Sequence, residues 1–319
     1  MFNEQTRRDF IKTATALGFA SLLPSSAFAQ QAAGTMIKRV IPGTSEMLPV
    51  IGFGSTAAVR LIVKDGPALM TELLETMLKL GSSVIDTAPR EKEIDEAFGN
   101  VLVLPQFKDK FFITTKIGLN RFLDVREVDK QGGIGQYEQT KRLFHRTPAD
   151  LIFVESMTDM DLHWPSLKDW KSSGEARYIG ITTSATADHE RMEAFMKSDK
   201  PDFIEVNYSL LEPEAEQRIL PLAQDLGIGV LINSPFNGGE YFKTVKGQTL
   251  PDWAAEFECN SWGQFNLKYL LGQPAINTIL TETTKASNMV DNLSAGLGKQ
   301  PDETMRKKIK AHFDTLVKK

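Results

Sequence analysis

Residues 84–99 read VIDTAPREKEIDEAFG, and this stretch contains the unit from which the fold is built. An apolar, β-branched run ends at Asp86, Thr-Ala-Pro follows, and a charged segment of helical character ends at Gly99. A short apolar run followed by an amphipathic helix is typical of proteins with buried parallel strands. The stretch also places Asp86 at the carboxyl end of a strand, with Glu91 five residues further on.

Seven other runs of the same kind occur along the chain, each rich in β-branched or aromatic residues. They cover residues 48–54, 111–118, 150–156, 177–184, 202–209, 228–236 and 276–283. Helical patterns lie between them, including LMTELLETMLKL and PEAEQRILPLAQDLG, which ends at a glycine stop, Gly227. Eight strand–helix units predict an α/β fold, a parallel (β/α)8 TIM barrel. A doubly wound open sheet is the alternative.

The N-terminal segment has the features of an export signal. TRRDFIK, residues 6–12, is a twin-arginine pattern, the apolar ATALGFASLL follows, and Ala27 and Ala29 precede a predicted cut before Gln30. The apolar run is too short to remain as a membrane anchor. We therefore expect a signal peptide over 1–29, one domain over 30–319, the twin-arginine export machinery as a partner, and a periplasmic location. An amphipathic N-terminal helix is the alternative.

Charge and cysteine content exclude several classes of protein. The formal net charge is −4, and −5 without the first 29 residues, which argues against a nucleic-acid partner. Cys259 is the only cysteine, so neither an intramolecular disulfide nor a cysteine-cluster metal site is possible, and no metal site is predicted. The last segment, 302–319, is a basic amphipathic pattern. We expect it to pack on the barrel, with membrane contact as the alternative.

The active site of such a barrel lies at the carboxyl ends of its strands. The last residues of the runs include three that could carry catalysis, Asp86, Lys116 and Glu155, and Glu91 follows the first of them closely. Several carboxylates around one lysine are expensive to bury unless the charges pair or some carboxyl groups stay protonated. These four residues are therefore the candidate catalytic set.

An ordered series of motifs connects the chain to a known family. LPVIGFGST, VIDTAP, FFITTK, GEARYIGITTS, VNYSLLEPEAEQRILPLAQDLGIGVLINSPF and PAINTILTETTKASNMVDNL follow one another over residues 37–296. In this order they resemble the aldo/keto reductase superfamily. The resemblance implies a (β/α)8 barrel and the NAD(P)-dependent reduction of a carbonyl group on a small-molecule substrate.

The resemblance also identifies where the catalytic set departs from the family. Asp86 and Lys116 match the family's aspartate and lysine, whereas Glu91 stands at the position of its tyrosine and Glu155 at that of its histidine. Steroid double-bond reductases of the superfamily also carry glutamate at the histidine position. The tyrosine is the proton donor of the family, so its replacement by Glu91 is the larger change.

His163-Trp164-Pro165 offers a rival alignment, because it resembles the family's histidine signature. We reject it because the preceding apolar run ends at Val154, and using His163 would leave too little chain for the next helix. We expect His163 to be a surface or helix-start residue.

The predicted cofactor site departs from the family as well. Thr183, Glu205 and Asn233 stand where the family has asparagine, glutamine and a ring-stacking aromatic residue, and the phosphate turn carries Glu282. A carboxylate there repels a 2′-phosphate, so NADH is expected at least as readily as NADPH. The candidate cofactor-binding residues are Thr182, Thr183, Glu205, Asn233, Ser234, Thr283, Lys285 and Asn292.

Three hypotheses about function follow. In the first, the protein is a modified oxidoreductase in which Glu91 and Glu155 face the pocket, share a proton and replace the tyrosine as acid. In the second, the carboxylates and Lys116 serve a non-redox enzyme, such as an epimerase, a lyase or a glycoside-processing enzyme. In the third, the barrel is a catalytically inactive periplasmic binding protein.

Overall fold

The computed structural model describes residues 34–118, 130–145, 149–157 and 159–317. The predicted signal peptide, its twin-arginine motif and the cut before Gln30 lie outside the described residues. Within the described chain, an antiparallel hairpin precedes a closed barrel of eight parallel strands. The hairpin consists of β1 (Lys38–Val40) and β2 (Met47–Pro49). The barrel strands are β3 (Ile51–Gly54), β4 (Val84–Asp86), β5 (Phe112–Gly118), β6 (Ala149–Glu155), β7 (Ala176–Thr183), β8 (Phe203–Asn207), β9 (Gly229–Asn233) and β10 (Thr278–Thr281).

Each of the eight apolar runs overlaps one barrel strand, and the last strand pairs with the first. Ile279 of β10 lies opposite Ile51 of β3 in a parallel register, which closes the ring. The (β/α)8 prediction is therefore confirmed, and the open-sheet alternative is wrong. Because all strands run in the same direction, their carboxyl ends meet at one face of the barrel.

Helices connect the strands and cover the outside of the barrel. They are α1 (Thr56–Asp65), α2 (Ala68–Lys79), α3 (Lys92–Leu102), α4 (Lys130–Leu143), α5 (Met160–Ser173), α6 (His189–Asp199), α7 (Ile219–Leu226), α8 (Glu240–Thr244), α9 (Trp262–Leu271), α10 (Ala286–Ser294) and α11 (Glu303–Val317). The predicted glycine stop is confirmed, because Gly227 follows α7 in the left-handed conformation, with φ of 67°. Helix α7 begins later than the helical pattern PEAEQRILPLAQDLG suggests, because Arg218, with φ of −138°, is not in a helical conformation.

The interior of the barrel is filled by aliphatic and aromatic side chains. Phe153 and Phe203 belong to a buried cluster, together with residues from the hairpin and from other strands. A β-carbon on Gly180 would lie 2.6 Å from a ring carbon of Phe153, and one on Gly229 would lie 2.4 Å from a ring carbon of Phe203. Glycine at these two positions therefore makes room for the rings. The packed interior leaves the carboxyl face as the place for a site.

The C-terminal helix α11 packs against the barrel, as predicted. Ile309 and Phe313 are fully buried, and the Arg306 guanidinium lies 2.7 Å from Glu216 Oε1. Arg306 Nε also donates to the carbonyl of Tyr269 at 2.9 Å. In the described part of the chain, no helix combines the length and the hydropathy needed to cross a bilayer.

Candidate active site

A cavity of about 750 Å³ opens at the carboxyl ends of the barrel strands. Its volume is within the range of sites that bind small molecules and cofactors. Its described lining includes four carboxylates and two lysines, together with backbone and hydroxyl groups from the loops after β3, β9 and β10. The charged residues are Asp86, Lys116, Glu155, Glu205, Glu282 and Lys285.

The floor of the cavity is organised around Lys116. Its ammonium donates a hydrogen bond to Asp86 Oδ1 and lies 3.2 Å from Glu205 Oε2. Thr114 donates to the same Asp86 oxygen. Burial disfavours the ammonium, but Asp86 and Glu205 outweigh that effect and hold the pKa of Lys116 above the ordinary lysine value. Lys116 is therefore a permanent cation shared by two carboxyl groups.

Glu205 is the second carboxyl partner of that lysine, and it is 3% exposed. Its Oε1 accepts a hydrogen bond of 3.0 Å from Asn233 Nδ2. Burial raises the pKa of Glu205 and the nearby charge of Asp86 adds to the rise, while Lys116 opposes it. Its strand, β8, meets β5 across the barrel interior, so the contact depends on closure of the ring. The candidate cofactor residue Glu205 thus lies in the ion-paired cluster.

Asn233 links this cluster to the neighbouring strand. Its Nδ2 also donates to the carbonyl of Thr183 at 3.0 Å, so both amide hydrogens are used inside the protein. Among the described residues, its buried Oδ1 has no hydrogen-bond partner. A buried acceptor that lines a cavity can accept a hydrogen bond from a bound ligand.

Glu91 lies in a different place from the one predicted. It is exposed at the start of α3, and it is not among the described residues that line the cavity. The neighbouring Arg90 is buried instead, and it donates from Nη1 to Thr87 Oγ1 and to the Ala88 carbonyl, both at 2.7 Å. The chain therefore turns Arg90 inward and Glu91 outward, so the expectation that Glu91 faces the pocket is wrong.

The remaining catalytic candidate, Glu155, lines the cavity at the end of β6 and is half-buried. Its charge contributes to raising the pKa of Lys116, after burial and the larger effects of Asp86 and Glu205. The Asp86–Lys116 pair implied by the family resemblance is present. The structure thus brings three of the four candidates together at the cavity.

The other candidate cofactor residues divide into two groups. Ser234, Thr283 and Lys285 line the cavity. Thr182, Thr183 and Asn292 are buried but do not line it in the described chain. Thr183 Oγ1 is used locally, because it donates to Asp188 at 2.8 Å and accepts from the amide of Ala185. The first group is therefore placed to contact a ligand directly.

Glu282 lies beside the beginning of α1. Its Oε1 accepts a hydrogen bond of 2.6 Å from the amide of Ala57, which lies in the first turn of that helix. A carboxylate at a helix N-terminus is favoured by the helix dipole and by the amide groups there. Glu282 therefore has a structural partner and still presents negative charge to the cavity.

Two features of the site were missed by the sequence analysis. Phe236 and Phe242 form an aromatic rim on the cavity, with ring centroids 4.8 Å apart. Behind Asp86, the amide of Arg90 donates to Asp95 Oδ2 at 3.1 Å, and burial raises the pKa of Asp95 to about 6. The aromatic pair in SPFNGGEYF was a usable signal, whereas nothing in PREKEID marks Arg90 as buried.

His163 was expected at the surface or at a helix start, and only the helix position is correct. It lies in the first turn of α5 but is fully buried. Its ring lies beside Gly118 and Gly133, where added β-carbons would come within 3.3 Å and 2.7 Å of it. His163 therefore packs behind the end of β5, and it is not among the described cavity residues.

Within the described chain, no group of three histidine, cysteine, aspartate or glutamate residues is arranged to hold a metal ion. The space between Asp86 and Glu205 is taken by the ammonium of Lys116. A parallel barrel with a buried, doubly paired lysine at its strand ends defines the class: a (β/α)8 barrel with a polar cavity at the carboxyl ends of its strands.

Comparison with known proteins identifies the family. The model of the aldo/keto reductase family matches residues 51–312, and the chain belongs to this family. It is 24% identical over 258 residues to the NADH-specific methylglyoxal reductase of Escherichia coli K12, a match that covers 68% of this chain and 73% of that protein.

Solved structures of the same family have the same fold. The holo form of aldo-keto reductase AKR11C1 from Bacillus halodurans has a TM-score of 0.69 and 19% identity, and the match covers 88% of this chain and 96% of that one. An aldo-keto reductase from Klebsiella pneumoniae in complex with NADPH has a TM-score of 0.68 and 17% identity, covering 87% and 96%. At these identities the likeness concerns the fold.

Proposed function

We propose that the protein is an NAD(P)-dependent oxidoreductase that reduces the carbonyl group of a small molecule with an altered catalytic set. The observation that carries this proposal is the polar cavity at the strand ends, with Lys116 buried between Asp86 and Glu205. Family membership supports an oxidoreductase over the non-redox enzyme and the inactive binding protein. The altered set consists of Asp86, Lys116, Glu205 and Glu155, and Glu91 is left out.

The residues present fit a nicotinamide dinucleotide at two separate points. The buried Oδ1 of Asn233 can accept a hydrogen bond from a carboxamide N–H group. Lys285, Ser234 and Thr283 would hold the phosphates near the beginning of α10. When bound, the reduced cofactor supplies a hydride to the carbonyl carbon.

The protein's own part is to orient the carbonyl group and to control charge around it. Lys116 keeps a positive charge at the cavity floor whatever the pH in the physiological range, because the pKa of its ammonium is raised. Glu155 lies at the side of the same floor, at the family's histidine position. Preorganised charges of this kind lower the cost of negative charge that develops on a carbonyl oxygen.

We further propose that NADH is used at least as readily as NADPH. Glu282 is exposed at the side of the cavity where Lys285, Ser234 and Thr283 would hold the cofactor phosphates. Its negative charge repels the 2′-phosphate that distinguishes NADPH from NADH. Lys285 offsets part of that repulsion. The relative from Escherichia coli is NADH-specific by name, whereas the Klebsiella pneumoniae structure contains NADPH.

The proposal also includes export by the twin-arginine route to the periplasm. It is supported by the TRRDFIK pattern and the small residues before Gln30. This route carries folded proteins, so a cofactor could be bound before export. A double replacement of Arg7 and Arg8 by lysine should leave uncut protein in the cytoplasm, and normal export of that variant would contradict the proposal.

A direct binding experiment tests the catalytic part. The mature protein is titrated with NADH and NADPH while its melting temperature is recorded, and a ligand that binds the folded state raises it. Cofactor oxidation is then followed by absorbance with methylglyoxal and with 4-nitrobenzaldehyde as carbonyl probes. Binding and carbonyl-dependent oxidation are expected, and no melting shift with either cofactor at millimolar concentration would overturn the proposal.

A further inference from the structure

Reduction of a carbonyl group needs a proton donor, and the position of Glu91 removes the predicted one. The described cavity contains four carboxyl groups that could take its place: Asp86, Glu155, Glu205 and Glu282. Their surroundings differ enough to separate them. The required group is one that keeps its proton near neutral pH and still borders the cavity.

Three of the four accept hydrogen bonds, and Glu205 is one of them, because its Oε1 accepts from Asn233 Nδ2. Glu205 differs in that its buried Oε2 makes no hydrogen bond in the described chain. Asp86 accepts from both the Lys116 ammonium and the Thr114 hydroxyl, and both hydrogen bonds go to its Oδ1. Glu282 is exposed and accepts from the Ala57 amide at the phosphate side of the cavity. Glu155 is half-buried, so water reaches it more readily than it reaches Glu205.

Glu205 is the carboxyl group with the least access to water. Its side chain is 4% exposed, and it shares Lys116 with Asp86, whose side chain is 14% exposed. Two carboxylates beside one ammonium leave a surplus negative charge in a buried place, so retention of one proton by the pair is favoured. The effects of burial and of Asp86 on Glu205 act in this same direction.

We infer that Glu205, held between Lys116 and Asn233, is the acid that donates a proton to the substrate carbonyl. This inference rests on the proposed function. A bound reduced nicotinamide would supply the hydride that adds to the carbonyl carbon. The π electron pair of the C=O bond would then move to oxygen and take the proton of Glu205. The product is an alcohol, the cofactor becomes oxidised, and Glu205 remains as a carboxylate that a proton from solvent restores.

The charged groups around Glu205 explain how the proton returns. Lys116 on β5 and Asp86 on β4 lie beside it, and the charge of Glu155 on β6 acts on Lys116. After the transfer, the carboxylate of Glu205 is stabilised by Lys116 but repelled by Asp86. That repulsion favours reprotonation before the next turnover.

Infrared difference spectroscopy with carboxyl-labelled glutamate tests the inference without requiring turnover. At pH 7 the wild type should give the carbonyl-stretch band of a protonated glutamic acid, and the band should disappear as pH rises. Glu205→Gln should lack the band, whereas Glu155→Gln and Glu91→Gln should keep it. A wild type without the band, or a Glu205→Gln variant that retains it, would overturn the inference.

Kinetics provide the second measurement. Glu205→Gln should lower kcat by roughly 100- to 10,000-fold, as for other lost general acids. It should also remove the decline of rate at alkaline pH. Turnover equal to that of the wild type would overturn the inference. If the wild type itself oxidises neither cofactor with any carbonyl probe, the proposed function fails, and the donor role of Glu205 fails with it. If the wild type is active but lacks the infrared band, only the donor role of Glu205 fails.

Discussion

At the β4 side of the cavity, Asp86, Lys116 and Glu205 are buried against one another, whereas at the β10 side Glu282 and Lys285 are exposed to solvent. In the first group, the charges are stabilised by contacts between the Lys116 ammonium and the carboxyl oxygens, which lie within 3.2 Å. The second relies on water and on the backbone amide of Ala57. Both regions border the same cavity.

This difference indicates which residues can be changed independently. In the buried cluster, each charge determines the protonation of its neighbours, so removal of one member affects all three. In the exposed region, solvent and salt screen each charge, and single changes should have small effects. The buried side is therefore the part of the site where chemistry can be tuned strongly.

The largest expected effect is that of Lys116→Met. Without the ammonium, Asp86 and Glu205 face each other with no cation between them, and removal of one partner of a buried ion pair costs about 3–5 kcal/mol. Urea unfolding at pH 7 measures the loss. The loss should shrink as pH falls, because protonation of the carboxylate left without its cation removes the buried charge.

Lys171→Met is the matched control for that change. Lys171 also pairs with an aspartate, Asp202, at 2.5 Å, but its side chain is 44% exposed. Exposed ion pairs contribute at most about 1 kcal/mol. Equal losses in the two variants would show that the cluster around Lys116 is not an interdependent unit.

These two regions also differ in how well the sequence predicts them. The strands follow from their apolar runs, and Asp86 and Lys116 were found because they stand at strand ends. Lys285 and Ser234 were found in the same way, with the help of the family resemblance. The local pattern is sufficient here because each residue reaches the cavity from the end of its own strand or from the loop that follows it.

The sequence does not predict the contact between Glu205 and Lys116. Their strands, β8 and β5, are separated by two others in the ring, and their side chains meet only across the interior of the closed barrel. Glu91 was misplaced for a local reason. Arg90 turns inward to Thr87, and Glu91 adopts φ of −53° and ψ of 137° just before α3, which leaves its side chain outside.

The next effect concerns the pH dependence of stability, through Glu205→Gln. Because the pKa of Glu205 is raised in the folded state, the unfolded chain loses this proton first, at about pH 4.3. The stability contributed by this group is therefore full below that pH and is lost as pH rises through the folded pKa. Glutamine lacks this loss, so the variant should match the wild type near pH 4 and be more stable than the wild type at pH 8.

Urea unfolding of both proteins at a series of pH values measures that difference. Asp95, with its pKa of about 6, is present in both and cancels in the comparison. Glu91→Gln, with its exposed side chain, is the control for replacing a glutamate outside the buried cluster. A Glu205→Gln variant that is less stable than the wild type at pH 8 would show that the ion pair with Lys116 outweighs the repulsion by Asp86.

A smaller effect is expected at the exposed side, from Glu282→Gln. The amide oxygen can still accept from Ala57, so the fold should not change, but the negative charge at the phosphate end is removed. The affinity for NADPH should rise about 2- to 5-fold relative to that for NADH, and the gain should decline with salt. Isothermal titration with both cofactors measures the ratio, and an unchanged ratio would show that Glu282 does not set the preference.

The smallest effect should come from Glu91→Gln, although Glu91 stands at the position of the family's proton donor. Its side chain is exposed, makes no capping hydrogen bond to α3 and does not border the described cavity. An exposed substitution of this kind changes stability by no more than about 0.5 kcal/mol. Turnover with the carbonyl probes should also stay at the wild-type level, because the acid lies at Glu205. A large loss of turnover in Glu91→Gln, with stability unchanged, would mean that α3 moves its first turn into the cavity when substrate binds. In that case the buried cluster around Lys116 would only stabilise charge on the substrate, and the proton would come from Glu91 at the start of α3.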